Sequence, residues 1–464
     1  MGTQQETKAA TAAIAERIAD WAGDLTAAVI PDSVRTVADS VLLDLAGNCV
    51  SVRNLDYVQS VVASWDGRGD CTAFGHPIGF DAAGAAIVNG TAAHGEDFDD
   101  TYEGSPVHAG APAIPAVLAA CERYGKSGAD ALVGISVAME LMCRMTVVAP
   151  TAIHRAGFHP TAVIGTMGAT AGVGAALGLS PRDIASALGI AGSLASGIIE
   201  YLAEGTSTKR LHPGWSAQCG LRAAMMAQNG FDGPRSVFEG EHGFFFAFAD
   251  PSIAQDLAHM TDGLGSDWRL ERIAFKPYAC GTMAQPYIDC AIGLANREIA
   301  TSDIKAIHCE TGEGIVHRLW EPLAEKHRPS TPYSAKFSIP YLVAVGFLDR
   351  AVGLAQFTEE RIRDPKVLEL AGKVGYEIDP ENEYPRNYTG HIRAELADGR
   401  IEEVRQPHMR GGSREPLPRA ELVAKFQNNV AFGGWDTTQA TELQQWCETA
   451  FDLPNLGGLA AFRS

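Results

Sequence analysis

Apolar residues recur at helical spacing through the first half of the chain, as Ile14, Ile18 and Trp21 in one segment and Val34, Val37, Val41, Leu45 and Cys49 in the next. The pattern stays mostly helical from about Glu6 to Ala249. Ser180-Pro181-Arg182-Asp183 predicts a helix start: serine caps, proline fits the first helical position and aspartate closes a capping-box-like contact. That helix is expected to run toward Tyr201. The run before it, Thr161 to Leu179, is rich in Gly and Ala, which lowers helix propensity but lets backbones approach closely. It is expected to be a central helix of a packed bundle.

After about Asp267 the pattern changes. Asp303 to Thr311 alternates like a strand, and His391 to Gln406 reads as a hairpin turning at Asp398-Gly399. Helical segments are expected at Met283 to Arg297, Ile339 to Phe357 and Lys366 to Val374. Helices and strands without a repeated βαβ rhythm point to a small α+β domain. Beyond Gly411-Gly412, Arg419 to Asn429 and Thr437 to Phe451 are helical again.

A chain of 464 residues with 46% hydrophobic content can bury one large core or two ordinary ones. Its formal charge of −19 repels phosphate backbones and argues against nucleic-acid binding, although a local cluster of Lys, Arg and His still attracts a small anion. Nine cysteines without CxxC spacing argue against structural zinc and a disulfide framework. No signal-peptide core is present, Glu6 stands where a myristoylation signal after Gly2 needs Ser or Thr, and no uninterrupted apolar run reaches spanning length. The expectation is a cytoplasmic protein with no membrane association.

Between two Ala-rich apolar runs, the segment from Asn89 to Pro115 carries His94, Glu96, Asp97, Asp99, Asp100, Glu103 and His108. A helix entering at Phe80 and another leaving near Pro112 would pin this turn at a helix junction. Three readings stand. Asp97, Asp99 and Asp100 with His94 or His108 could hold a divalent metal, though no HxxxH or DxDxDG spacing fixes the geometry. The turn could be solvated and merely cap helices. Or it could be a metal-free site, with His108 the first candidate for proton transfer because imidazole exchanges protons near neutral pH.

Opposite charge comes from Thr206 to His212 and from Phe275 to Cys280. Lys209 and Lys276 sit in polar or turn-forming contexts between apolar segments, which suits cations that meet carboxylates. His159 precedes a helix and either caps it or faces an anion at its N-terminus. Gly172-Val173-Gly174 is no dinucleotide loop, since Leu177 takes the third glycine position and no strand precedes it. GxSxG is absent, and a Schiff-base role for Lys209 stays open.

DFDDT at Asp97 to Thr101, GFHPT at Gly157 to Thr161, TKRLHPG at Thr208 to Gly214, KPYAC at Lys276 to Cys280 and GGSREPLP at Gly411 to Pro418 follow in this order. Together they resemble the MmgE/PrpD family over nearly the whole chain. The resemblance implies a mostly α fold: a large discontinuous helical domain (1–267 and 409–464), a smaller α+β lid domain (268–408) and an active site in the cleft between them. It implies a homodimer, no cofactor, no metal and a small anionic carboxylate substrate.

The resemblance further implies that His108, Asp97, Lys209 and His159 are catalytic and that Thr101, Lys276, Tyr341, Arg210 and His212 contact substrate. Asp99 and Asp100 would hold the loop. Ala109 replaces the Pro usual in the family, which is similar to the fungal cis-aconitate decarboxylase pattern, and Gln285 stands where relatives often have His. The implied activity is a lyase releasing water or carbon dioxide from a di- or tricarboxylate. An epimerase of an iminodisuccinate-like amino diacid is the alternative. A non-catalytic carboxylate-binding protein is a third, against which the joint presence of His108, His159, Lys209 and Lys276 speaks.

Overall fold

A computed structural model describes residues 12–464, so Gly2 and Glu6 lie outside it. Among these residues two hydrophobic cores form. The first gathers apolar side chains from Ala15 to Ile273 together with Phe426 to Phe462; the second gathers Tyr278 to Leu396 and takes in Phe98. The C-terminal helices Arg419–Phe432 and Thr437–Thr449 thus rejoin the first core through Phe426, Val430, Leu443 and Cys447. Trp268, Leu270 and Ile273 still belong to that core, so the changeover falls between Ile273 and Tyr278, later than the boundary at 268 expected from sequence.

Helix Pro160–Leu177 runs through the first core, buried at every position but Ala175. Pro160 opens it and Gly178, at φ 70°, closes it in the left-handed region. Its glycines permit the packing: a Cβ on Gly165 would stand 3.0 Å from Pro112 Cγ, and one on Gly134 of the neighbouring helix Gly128–Val148 would stand 2.6 Å from Gly172 O. Both helices are long and apolar enough to cross a membrane by length and composition, although neither is an uninterrupted apolar run; 94% of each apolar stretch is buried inside the protein. Glu140 and Arg144 interrupt the one and Thr161, Thr166 and Thr170 the other, all of them buried against neighbouring elements.

Helix Pro181–Leu194 starts as expected, with Ser180 Oγ accepting from the Asp183 N–H at 3.2 Å, but stops at Leu194 rather than reaching Tyr201. In the second core, strands run in the order Val374–Ile378, Ile304–Thr311, Gly390–Leu396, Ile401–Gln406; the first pair is parallel and the others antiparallel. Gly399, at φ 86°, turns the hairpin. Val374 begins an edge strand that the helical reading of Lys366 to Val374 missed, and Ile339 to Phe357 is a helix only to Asp349, followed by a 3₁₀ turn at Leu354–Phe357.

Two features aim the first core at the second. The buried Arg144 guanidinium donates to the carbonyls of His259, Asp262 and Asp267 at 3.2, 2.7 and 2.6 Å, while Glu140 accepts from the Leu270 N–H at 3.0 Å. These bonds anchor the segment leading to Lys276. Thr101 then pairs with Ala274 in a two-residue antiparallel ladder, which lays the acidic turn beside Lys276.

Candidate active site

Helix Ala82–His94 delivers the acidic turn, and helix Thr208–Gln228 crosses it where Gly90 meets Gly214. Because neither glycine has a side chain, the backbones come close enough to set His94 and Asp97 beside Lys209 and His212. Lys209 stands in the first turn of that helix, between the polar Thr208 and Arg210.

Asp97 is the hub. It is buried, adopts φ 54°, and its carboxylate accepts from the Lys209 ammonium and, at 2.9 Å, from the Tyr333 hydroxyl. Its carbonyl accepts from Lys276 Nζ at 3.0 Å. Burial alone would raise the pKa of this carboxyl, but Lys209, Lys276 and His94 outweigh burial and hold it well below the usual carboxylate range. Lys276 is 1% exposed, so its charge has no water to screen it.

Asp99 and Asp100 divide their work. Asp100 accepts from the Ala109 and Gly110 N–H groups at 3.0 and 3.1 Å and so caps helix Gly110–Tyr124; burial and the neighbouring Asp99 push it up to about 7. Asp99 does more than hold the loop. Its Oδ2 lies 2.8 Å from His94 Nδ1 and 3.4 Å from His108 Nδ1, and these two imidazoles overcome burial to keep it ionised.

His108 Nδ1 also lies 2.7 Å from the Asp100 carbonyl. A carbonyl only accepts, so Nδ1 carries the hydrogen and the neutral ring presents a bare Nε2, the form a general base requires. Burial lowers His108 to about 4, with Lys276 adding to the effect against Asp99. One ring nitrogen from each of His94 and His108 and one carboxylate oxygen of Asp99 fall within 4.8 Å of one another, a grouping able to hold a metal ion. A metal on His108 Nδ1 would displace the proton that the Asp100 carbonyl needs, and the hydrogen-bonded arrangement accounts for the geometry without one.

His159 does not cap helix Pro160–Leu177 with its side chain. Its Nδ1 instead meets His212 Nδ1 at 3.1 Å, so one ring donates and the other accepts. Burial lowers both, His159 well below its ordinary value and His212 to about 4, each further lowered by His94. The His94 ring lies 4.6 Å from that of His108 and 5.6 Å from that of His159, and Tyr201 closes the group 6.1 Å from His159.

The structure thus brings Asp97, His108, His159, Lys209, His212 and Lys276 together, with Thr101 buried on the ladder beside Ala274. Two of the substrate-contact candidates stand elsewhere. Arg210 is spent on protein groups: its Nε donates to the Gly95 carbonyl at 2.9 Å, it pairs with Glu96 at 3.4 Å, and its guanidinium lies 4.4 Å from both the Tyr57 and Tyr333 rings. Tyr341 is buried in the second core, where its hydroxyl donates to the Gln356 carbonyl. Tyr333, one helical start earlier, supplies the phenol that reaches Asp97.

Lys336 was also missed. Fully buried, its ammonium donates to the Glu96 and Ala279 carbonyls at 3.1 and 2.9 Å and lies 3.1 Å from the Glu96 carboxylate, so it bolts the second core to the acidic turn. The signal was Pro332-Tyr333-Ser334-Ala335-Lys336, a capped one-turn helix carrying a phenol and an ammonium three residues apart. Gln285 faces away from the imidazoles. Its amide accepts from the Tyr278 N–H at 3.2 Å and donates to the Tyr278 and Cys280 carbonyls at 2.9 and 3.2 Å, stiffening the loop that carries Lys276.

A cleft of about 870 Å³ lies behind Phe98, lined by Asp289, Arg350, Arg410 and Lys425 among others. Its cations are engaged already: Arg410 with Asp289, Lys425 with Asp44 and Arg350 with the Ala295 carbonyl. The proton-carrying side chains gather on the Asp97 side.

Cis-aconitate decarboxylase of Aspergillus terreus is 27% identical to this chain over 96% of it and 94% of its own length. The human protein of the same name is 30% identical over 90% of this chain and 87% of its own, and the mouse one 28% over 88% and 83%. The description MmgE/PrpD N-terminal domain fits residues 16–255 and MmgE/PrpD C-terminal domain fits residues 278–447, although helices Arg419–Phe432 and Thr437–Thr449 within the latter pack on the first core. With both halves matched and four of the five ordered motifs converging on one cluster, the chain belongs to the MmgE/PrpD family.

Proposed function

We propose that the protein is a lyase that removes carbon dioxide from a small unsaturated tricarboxylate of the cis-aconitate type. The observation that carries this reading is the pairing of two ammonium groups, the half-buried Lys209 and the buried Lys276, with a cluster of neutral imidazoles around Asp97. Buried cations beside uncharged bases favour a polyanion and leave a proton carrier free. The relatives named cis-aconitate decarboxylase support the choice of substrate.

Decarboxylation breaks a C–C bond and passes its electron pair through the adjacent double bond to a carbon that must gain a proton. Lys209 and Lys276 hold the remaining carboxylates and offset the carbanionic charge as it develops. A bound polyanion favours the charged form of His108, so the imidazole takes a proton from solvent and gives it to that carbon. The product is an unsaturated dicarboxylate. A homodimer through the helical domain, which exposes Ile198, Trp215 and Phe246, and a cytoplasmic location belong to the same reading.

Proton NMR in D₂O with cis-aconitate, 2-methylcitrate and iminodisuccinate tests it. Carbon dioxide release from cis-aconitate with one deuterium entering the product is expected. Exchange of a Cα proton in iminodisuccinate without elimination would replace the lyase by an epimerase.

A further inference from the structure

The side chain of His94 is 1% exposed, its Nδ1 lies 2.8 Å from the Asp99 carboxylate, and its buried Nε2 has no partner among the described residues. The Asp99 carboxylate, held ionised, only accepts, so Nδ1 carries a hydrogen and Nε2 is the ring nitrogen left to meet a ligand. A buried polar atom left bare costs about 1–3 kcal/mol and is seldom tolerated without a ligand or water to meet it. The ring stands between His108 and His159, with Asp97, Asp99 and His212 the other titratable groups around it. Its place is central, not peripheral.

We propose that His94 is a second catalytic residue of this site, an Asp99-held imidazole whose Nε2 touches the bound carboxylate substrate and exchanges a proton with it beside His108. Two imidazoles on one carboxylate give the site two proton carriers of fixed tautomer. Asp99 Oδ2 is 0.6 Å closer to His94 than to His108, from the two contacts of 2.8 and 3.4 Å, so His94 is the better held of the pair. The proton balance is closed: Nε2 takes a proton from solvent water or substrate and returns it, with no oxidant or further reactant.

The proposal rests on the carboxylate-lyase reading only for its kinetic readout. His94→Asn keeps an N–H for Asp99 but has nothing at the Nε2 position, and His94→Gln places an amide nearer Nε2. Expected in His94→Asn are a kcat lowered on the order of 10²-fold or more with little change in KM and in thermal midpoint. A kcat within threefold of wild type in a folded His94→Asn overturns the proposal. A second readout needs no turnover: ring-¹⁵N histidine NMR of wild type, with His94 assigned by its loss in His94→Gln, under addition of propane-1,2,3-tricarboxylate. Movement of the Nε2 resonance supports substrate contact even if no carboxylate is turned over, in which case the lyase reading alone falls. An Nε2 resonance unmoved at the highest concentration overturns the proposal.

Discussion

Gly90 meets Gly214 at the crossing of two helices, where a Cβ on Gly90 would stand 2.6 Å from Gly214 Cα. Gly90 lies one turn before His94 and Gly214 just after His212, so this contact sets the spacing of the whole imidazole cluster. Gly90→Ala should force the helices apart, cost about 1–3 kcal/mol in stability as overpacked cores do, and lower kcat/KM without touching any reacting group. Urea unfolding and steady-state kinetics check it. An unchanged variant on both counts would mean that the crossing yields at no cost.

Lys209→Ala and Lys276→Ala should each remove about 2–4 kcal/mol of transition-state stabilisation, read as the fall in kcat/KM. The Asp97 carboxylate that Lys209 neutralises is buried, so Lys209→Ala should also lower the unfolding midpoint. Near-wild-type kcat/KM in a folded variant would reduce that lysine to a structural cation.

Tyr333→Phe removes the phenol that donates to Asp97 at 2.9 Å. A hydrogen bond to a charged group is worth about 1.5–3 kcal/mol, and the loss should appear mainly in kcat/KM because Asp97 then holds Lys209 less firmly. Tyr341→Phe is the control. Its hydroxyl serves the second core, so its cost should be paid in stability and not in turnover.

His212, lowered to about 4 by burial, titrates near 6.5 in the unfolded chain. Between those values the unfolded state binds the extra proton, so the stability that His212 permits at pH 7 is lost as pH falls from about 6.5 to about 4, by at most about 1.4 kcal/mol per pH unit. Asp39, raised to about 6 by burial, and Asp100, raised to about 7, act in the opposite sense over part of the same range. The comparison is therefore with His212→Gln: wild type minus variant stability should be greater at pH 7 than at pH 5. A flat difference would show His212 to be ordinarily solvated.

Hydrogen bonds alone account for the contacts among His94, Asp99 and His108, so chelator-treated enzyme should keep its activity. Loss on EDTA with recovery on a divalent ion would turn the same three side chains into a metal site.

The division into a helical core and a small α+β core was legible in the chain because periodicity of 3.6 or 2 is written locally, and so were the helix start at Ser180-Pro181 and the hairpin at Asp398-Gly399. Charge type was legible too: acids in one segment, Lys209 and Lys276 in two others. Pairing was not. Which tyrosine meets Asp97, whether Arg210 faces a ligand or Glu96, and whether Gln285 stands among the imidazoles or braces the Tyr278 loop all depend on groups between seven and 236 residues apart in sequence. Local pattern fixes the direction a side chain takes from its own element, whereas the partner it finds is chosen by how elements cross. At Gly90 and Gly214 that choice rests on the absence of two side chains, which only the folded packing reveals.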